Sequence, residues 1–242
     1  MKTQKIRVLG VIPARGGSKG IKNKNLYSIS GKPLIAYTIE SACKSKLLDD
    51  FILSTDSELI AKVALRYKAK VPFLRPKELA QDDTPTRPVL KHALQEYEKL
   101  TGKYFDWIML LQPTVPFRTS ENIDTAIQLL KKYPKKGALI SCFDGEDAHP
   151  QVMYKKRSGK VVPFVRGAKE MMRRQNFEKV YVRNGAIYLT KRDILLRKDR
   201  IISNNPLIME MSRWGMVNIN SIEDMRLAEM FLLYKKIRPE WF

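Results

Sequence analysis

Apolar residues along the chain gather in short runs, and the longer stretches between them carry apolar positions every three to four residues. The runs occupy residues 6–12, 51–54, 71–74, 107–111 and 138–142. Each is nearly continuous rather than alternating, the pattern of a strand buried on both faces. Between them, residues 33–46, 57–67, 87–100 and 120–132 show helical periodicity. Pro33 suits a first helical turn, where a missing N–H costs nothing, and Ser57 and Ser120 are placed to cap their helices. Buried strands joined by helices predict an α/β layered fold on a mostly parallel sheet. Ligands of such sheets bind beyond the carboxyl ends of the strands, so the residues after each run are the first candidates for chemistry.

The alternation breaks near residue 144. His149-Pro150, β-like runs at 151–154 and 160–165, and a basic, Met-rich stretch at 169–174 read as an insertion with its own small structure. It spans residues 144–183 and divides a core made of residues 1–143 and 184–242. Alternation resumes at 185–189, apolar runs follow at 206–209 and 216–219, and a final helix is expected over 221–236.

With 242 residues, 44% hydrophobic and 29% charged, the chain can bury one core without disulfide or metal staples. Cys43 and Cys142 are far apart and lack metal-type spacing, so they read as buried thiols in a reducing cytoplasm. No run approaches the ~20 apolar residues that span a bilayer. The opening Met1-Lys2-Thr3-Gln4-Lys5 leads into a run that reads as a strand rather than a secretory signal. A soluble, cytoplasmic protein without a membrane partner is expected. The balance of 45 Lys and Arg against 25 Asp and Glu gives a formal charge of +20, a field that attracts nucleotides, acidic substrates and nucleic acid. The basic clusters, such as Lys155-Lys156-Arg157 and Lys235-Lys236, are short and carry no interleaved aromatics on which bases could stack. They read as solvated surface, and no nucleic-acid partner is expected.

The first run ends in the most informative segment, Pro13-Ala14-Arg15-Gly16-Gly17-Ser18-Lys19-Gly20-Ile21-Lys22-Asn23-Lys24-Asn25. Its glycines let the backbone approach a ligand closely with N–H groups turned inward. Arg15, Lys19, Lys22 and Lys24, set among them, favour a polyanion such as a triphosphate. Neither Gly-x4-Gly-Lys-Ser/Thr nor Gly-x-Gly-x-x-Gly spacing is present, so this is a nucleotide loop of another kind. Three further segments follow strand runs or open one: Leu74-Arg75-Pro76-Lys77-Glu78-Leu79-Ala80 with Gln81-Asp82-Asp83-Thr84-Pro85-Thr86 behind it, Leu111-Gln112-Pro113-Thr114-Val115-Pro116-Phe117-Arg118, and Arg183-Asn184-Gly185-Ala186-Ile187-Tyr188. Two prolines stiffen the second, which is expected to present Gln112, Thr114 and Arg118 to a ligand.

In order and spacing these segments resemble the acylneuraminate cytidylyltransferases, or CMP-sialic acid synthetases, including those acting on legionaminic and pseudaminic acids. The resemblance covers about residues 5 to 235. Enzymes that activate the eight-carbon sugar Kdo carry a Tyr-Gly-Ser-Thr-Arg-type first loop instead. The resemblance implies a Rossmann-like core of the nucleotide-diphospho-sugar transferase type and a dimerisation subdomain at the insertion. It also implies transfer of CMP from CTP to the anomeric hydroxyl of a nine-carbon α-keto sugar acid, with loss of pyrophosphate. Negative charge grows on the phosphoryl oxygens, so catalysis rests on in-line positioning, cations and Mg²⁺.

By motif position, Arg15, Lys19 and Lys24 are expected to hold the CTP phosphates and act in catalysis, with Arg75 facing the same phosphates. Ala14, Gly16, Ser18, Asn25 and Thr86 are expected around the nucleotide. Gln112, Asn184, Tyr188 and, from the partner subunit of a homodimer, the position of Arg174 are expected at the sugar. His149 fits a turn as well as a sugar contact, and His92 reads as structural. The family binds Mg²⁺ with an Asp-x-Asp pair before the last helix, but here those positions are Asn218 and Asn220. An amide oxygen still ligates a hard cation, though more weakly than a carboxylate. Glu223 and Asp224 follow, better placed as helix caps than as replacements. Three explanations stand: a metal held mainly by CTP phosphates, an impaired enzyme kept for binding, or a substitution that traps substrate. Two other readings remain open, a nucleotidyltransferase for a different sugar and a nucleic-acid-binding module exploiting the +20 charge.

Overall fold

The computed structural model describes residues 6–17, 20–145, 148–167, 177–212 and 217–237. Its first half runs β1 (Val8–Pro13), the short pair β2 (Ser28–Ile29) and β3 (Lys32–Pro33), α1 (Leu34–Lys44), β4 (Asp50–Ser54), α2 (Glu58–Arg66), α3 (Thr86–Thr101), β5 (Trp107–Leu110) and α4 (Ser120–Lys132). The second half runs β6 (Ala138–Asp144), β7 (Tyr154–Arg157), β8 (Lys160–Pro163), β9 (Tyr181–Lys191), α5 (Arg192–Leu196), β10 (Leu207–Glu210) and α6 (Ile222–Ile237).

Six strands form one sheet in the order β10-β6-β9-β5-β1-β4. All run parallel except β9, which is antiparallel to both β5 and β6. Ile35, Ile39, Ile60, Ile123 and Ile127 from α1, α2 and α4 pack on one face. Leu90, Leu94 and Tyr97 from α3, with Leu195 from α5, pack on the other. The result is the Rossmann-like three-layer α/β arrangement that buried strands demand. From β1 the chain steps outward to β4 and then back across to β5 on β1's other side. That reversal leaves a crevice beyond the carboxyl ends of β1 and β5, where ligands of such sheets bind.

Several local expectations needed correction. Residues 71–74 make no strand; isolated bridges join Ile52 to Lys70 and Thr55 to Leu74, and Pro72 between them has no N–H for a ladder. Helix α4 is capped by Thr119 rather than Ser120, in a reciprocal pairing with Asn122 (3.3 and 3.0 Å). Residues 217–219 form no strand, and Ile219 N instead donates to Thr114 O at 2.8 Å. Cys142 is buried but Cys43, on the last turn of α1, is exposed. The β-like runs of the insertion form one hairpin, β7–β8, shifted from 151–154 because residues 150–152 take a 3-10 turn. Ser158 and Gly159 supply the two left-handed residues that a tight hairpin needs.

The strand expected at 185–189 is the middle of the longer β9. Periodicity registers burial but not direction. Tyr181 pairs with Asp144, so the insertion returns the chain to the edge where β6 ended and β9 runs back antiparallel. Its register breaks between Ile140↔Tyr188 and Cys142↔Arg183, and Gly185 sits in the break with φ +79°. No helix among the described residues is long and apolar enough to cross a membrane.

Candidate active site

A cleft of about 290 Å³ opens at the β1/β5 switch point. One wall comes from Pro13 and Arg15 after β1, with Gly20, Lys24 and Asn25 of the glycine-rich loop. Arg75 and Asp82 close a second side, Thr84 and Thr86 at the start of α3 a third, and Gln112 and Thr114 after β5 the last. A larger groove of about 560 Å³ lies between α1, α4 and α6, but it contains none of the cleft's cations.

The glycine-rich loop is anchored at several points. Asn25 is buried and donates Nδ2 to the Arg15 carbonyl at 3.0 Å, folding the loop back on its start. Gly16 N donates to Asp56 Oδ1 at 3.0 Å, and a Cβ on Gly20 would meet Asn220 O at 3.2 Å. Ile21 joins Ile219, Met225 and Ala228 in a small core that fastens the loop to α6. Ala14 is fully buried and donates to Ser54 O (2.9 Å). Ala14 and Gly16 therefore support the cleft from behind rather than line it.

Three cations converge. Arg15 is half-buried and paired with Asp82. Arg75 is 5% exposed, reaches Asp56 Oδ1 at 3.6 Å, and has an Nε without a hydrogen-bond partner among the described residues. Burial lowers its pKa, against the pull of Asp56. Lys24 donates Nζ to Ile219 O at 3.2 Å. Burial lowers its pKa too, Arg15 adds to the shift, and Asp224 opposes it. A polyanion entering here would relieve the repulsion and satisfy the open guanidinium. Ser18 and Lys19 lie outside the described residues.

At the opposite wall, Gln112 Oε1 lies 2.7 Å from where a Cβ of Gly185 would be, and Asn218 Nδ2 lies 3.5 Å from the same point. Glycine at 185 therefore admits both amides as well as the left-handed turn. Asn184 does not face this space. It is 3% exposed, accepts from Ser141 Oγ (2.6 Å) and Ala186 N (3.0 Å), and points Nδ2 at Met211 Sδ (3.3 Å). The β9 irregularity frees backbone groups that need partners, and Asn184 supplies one. Tyr188 is half-buried against the cluster under α3, outside the cleft lining but on the same face of the sheet. Arg174 lies outside the described residues.

Arg118 was expected to face a ligand and is instead buried, its guanidinium taken by the carbonyl oxygens of Gln112 and Ala186 and the Thr38 hydroxyl. His149 is structural, bonding Gln151 N and Glu178 O and stacking on Phe177 at 4.4 Å. His92 packs edge-on against Phe73. Sequence reasoning missed Asp56 and Asp82, the carboxylates that hold Arg75 and Arg15. Asp56 was findable, because it follows β4 at the same edge as the glycine-rich loop.

The residues around Asn218 and Asn220 offer little to Mg²⁺. Asn218 Oδ1 is buried without a partner among the described residues, a single neutral donor. Asn220 turns Nδ2 to the Asn218 carbonyl at 3.3 Å. Asp224 Oδ2 is spent on the backbone N–H groups of Asn220 and Ser221 (2.8 and 2.9 Å), capping α6. Among the described residues no three acidic, histidine or cysteine side chains gather to hold a metal. The donor set does not fit a Mg²⁺ ion held by the protein, which favours carboxylates.

A cation-lined cleft at the switch point of a mostly parallel sheet defines a nucleotide-binding α/β enzyme. The cytidylyltransferase family model matches residues 9–235, and the chain belongs to that family. It is similar to the CMP-N,N'-diacetyllegionaminic acid synthase of Campylobacter jejuni subsp. jejuni serotype O:2, at 34% identity over 97% of this chain and 99% of that one. It is also similar to the pseudaminic acid cytidylyltransferase of the same organism, at 31% identity over 94% and 96%. Among solved structures, the CMP:2-keto-3-deoxy-manno-octonic acid synthetase complexed with CTP superposes with a TM-score of 0.70 at 18% identity, covering 95% of this chain and 99% of that one. That likeness supports the fold.

Proposed function

We propose that the enzyme transfers CMP from CTP to the anomeric hydroxyl of a nine-carbon α-keto sugar acid of the sialic, legionaminic or pseudaminic type. The hydroxyl oxygen bonds the α-phosphorus, the bond to the β-phosphate oxygen breaks, pyrophosphate departs with that electron pair, and the hydroxyl proton passes to solvent. The observation that carries the reading is the convergence of Arg15, Lys24 and Arg75 on one cleft whose far wall is the Gln112–Gly185 contact. The cations hold the triphosphate and stabilise its growing charge, while the amide wall takes the acceptor. Thr84 and Thr86 frame the nucleoside, and Lys19 is assigned to the phosphates and Ser18 to the nucleotide. Tyr188 is assigned to the acceptor side, with Asn184 behind it as support.

No Mg²⁺ site is assigned to Asn218 and Asn220; any divalent ion is brought by the triphosphate. We assign residues 144–183 to homodimerisation, because the hairpin exposes Tyr154 and Val161 on one face. CTP as substrate places the enzyme in the cytoplasm. Pyrophosphate release with CTP and a panel of nonulosonic acids tests the activity, and light scattering of the purified protein tests the dimer.

A further inference from the structure

We propose that Arg118 is a positioning residue for the acceptor end of the cleft, holding the Gln112 carboxamide over Gly185 where the sugar acid binds. The inference rests on the function proposed above. Arg118 is 2% exposed, and among the described residues no carboxylate pairs with it. An unpaired buried guanidinium is costly, so its remaining partners must be worth keeping.

Those partners come from three elements. Nη1 donates to Ala186 O at 2.7 Å and to Gln112 O at 3.3 Å, and Nη2 donates to Thr38 Oγ1 of α1 at 2.7 Å. Ser41 Oγ, also on α1, donates to the carbonyl of Arg118 itself at 2.8 Å. Two of these contacts bracket the acceptor wall. Gln112 gives its carbonyl to Arg118 and its side chain to the cleft, and Ala186 directly follows Gly185. The Gln112 Oε1 position, 2.7 Å from the missing Cβ of Gly185, therefore depends on a backbone spacing that one guanidinium spans from behind. The planar fork gives Nη1 to the two carbonyls and Nη2 to the Thr38 hydroxyl at once, and the single nitrogen of a lysine does not cover both positions.

Arg118→Lys and the near-isosteric Thr38→Val test this, the second removing only the Nη2 contact to α1. KM is measured separately for CTP and for the sugar acid, with CTP affinity and Tm alongside. Arg118→Lys should raise the acceptor KM about tenfold, the equivalent of about 1.4 kcal/mol, and leave CTP affinity within about twofold. Thr38→Val should move the same constant in the same direction by less, and it carries the test alone if Arg118→Lys does not fold. In a Gln112→Ala background neither change should raise the acceptor KM further, a coupling that a purely structural arginine would not show. Equal changes in both KM values, or a lower Tm with both unchanged, would overturn the proposal while leaving the function standing. A native enzyme that binds CTP but turns over no sugar acid would instead remove the function, and this proposal with it.

Discussion

The Lys24 ammonium donates to the Ile219 carbonyl at 3.2 Å, which ties the cation of the glycine-rich loop to the backbone of the residue that separates Asn218 from Asn220 in sequence. A pair of carboxylates there would hold a divalent ion. The chain instead has two amides, a protein cation, and an Asp224 already committed to capping α6. Without nucleotide, the native protein should show no saturable Mn²⁺ binding in a relaxation or calorimetric titration. Asn218→Asp with Asn220→Asp should create at least tenfold tighter binding, since charge-assisted contacts are about twice as strong as neutral ones. Tight Mn²⁺ binding by the nucleotide-free native protein contradicts this account.

Lys24 also sets a pH dependence. Burial, then Arg15, lowers its pKa, so it loses its proton at a lower pH than an ordinary lysine. Triphosphate binding needs the charged form, so CTP affinity should be flat near neutrality and fall on the alkaline side earlier than lysine's usual range. Lys24→Arg keeps the charge at every accessible pH and should remove the fall. CTP affinity measured across pH at constant ionic strength decides it.

Arg15 is engaged by Asp82 in the free protein, and both side chains are partly exposed. Such a pair is worth under ~1 kcal/mol, so a triphosphate displaces the carboxylate at little cost. Asp82→Asn should tighten CTP binding about two- to fivefold, within the strength of the pair it removes. Arg15→Ala should weaken CTP binding by about 1.5–3 kcal/mol, the range for a hydrogen bond to a charged group. Equilibrium titration of both variants checks the opposite signs.

Away from the cleft, Asp50 at the start of β4 accepts from Lys70 (2.5 Å), Lys103 (2.9 Å) and the Tyr97 hydroxyl (2.8 Å). Burial pushes its pKa up, but these three partners outweigh it and leave it below the ordinary carboxylate value. A depressed carboxylate stabilises the fold above its unfolded pKa, and that stability is lost as pH falls through the folded value. Asp50→Ala should cost about 2–3 kcal/mol at neutral pH, below the 3–5 of a fully buried pair because both lysines are half exposed. The deficit should shrink in strong acid, where native Asp50 is protonated too; melting curves at neutral and acid pH test it.

The layered fold and the cation-lined side of the cleft were legible in the chain because both are local. Continuous apolar runs mark buried strands, and glycines interleaved with cations mark the loop after β1. Contacts between distant segments were not legible. The direction of β9 follows from where the insertion returns the chain, and the inward turn of Arg118 follows from the carbonyls of Gln112 and Ala186, one of them far along the sequence. Asn184 reads as a ligand contact in sequence because its neighbours are motif residues. Its real partner, Ser141, lies on the adjacent strand. Pro72 did carry a warning against a strand at 71–74, and the apolar run outweighed it.

The central claim is that the cleft joins CMP to a nonulosonic acid. The most direct measurement is phosphorus NMR of the enzyme with CTP and each of the sialic, legionaminic and pseudaminic acids, with UTP, GTP and ATP in parallel. The account predicts one equivalent of pyrophosphate and a CMP phosphodiester to one of these acids, formed from CTP and lost with Arg15→Ala. Turnover with another nucleotide in preference to CTP, or bound CTP without product from any of the three acids, would contradict it.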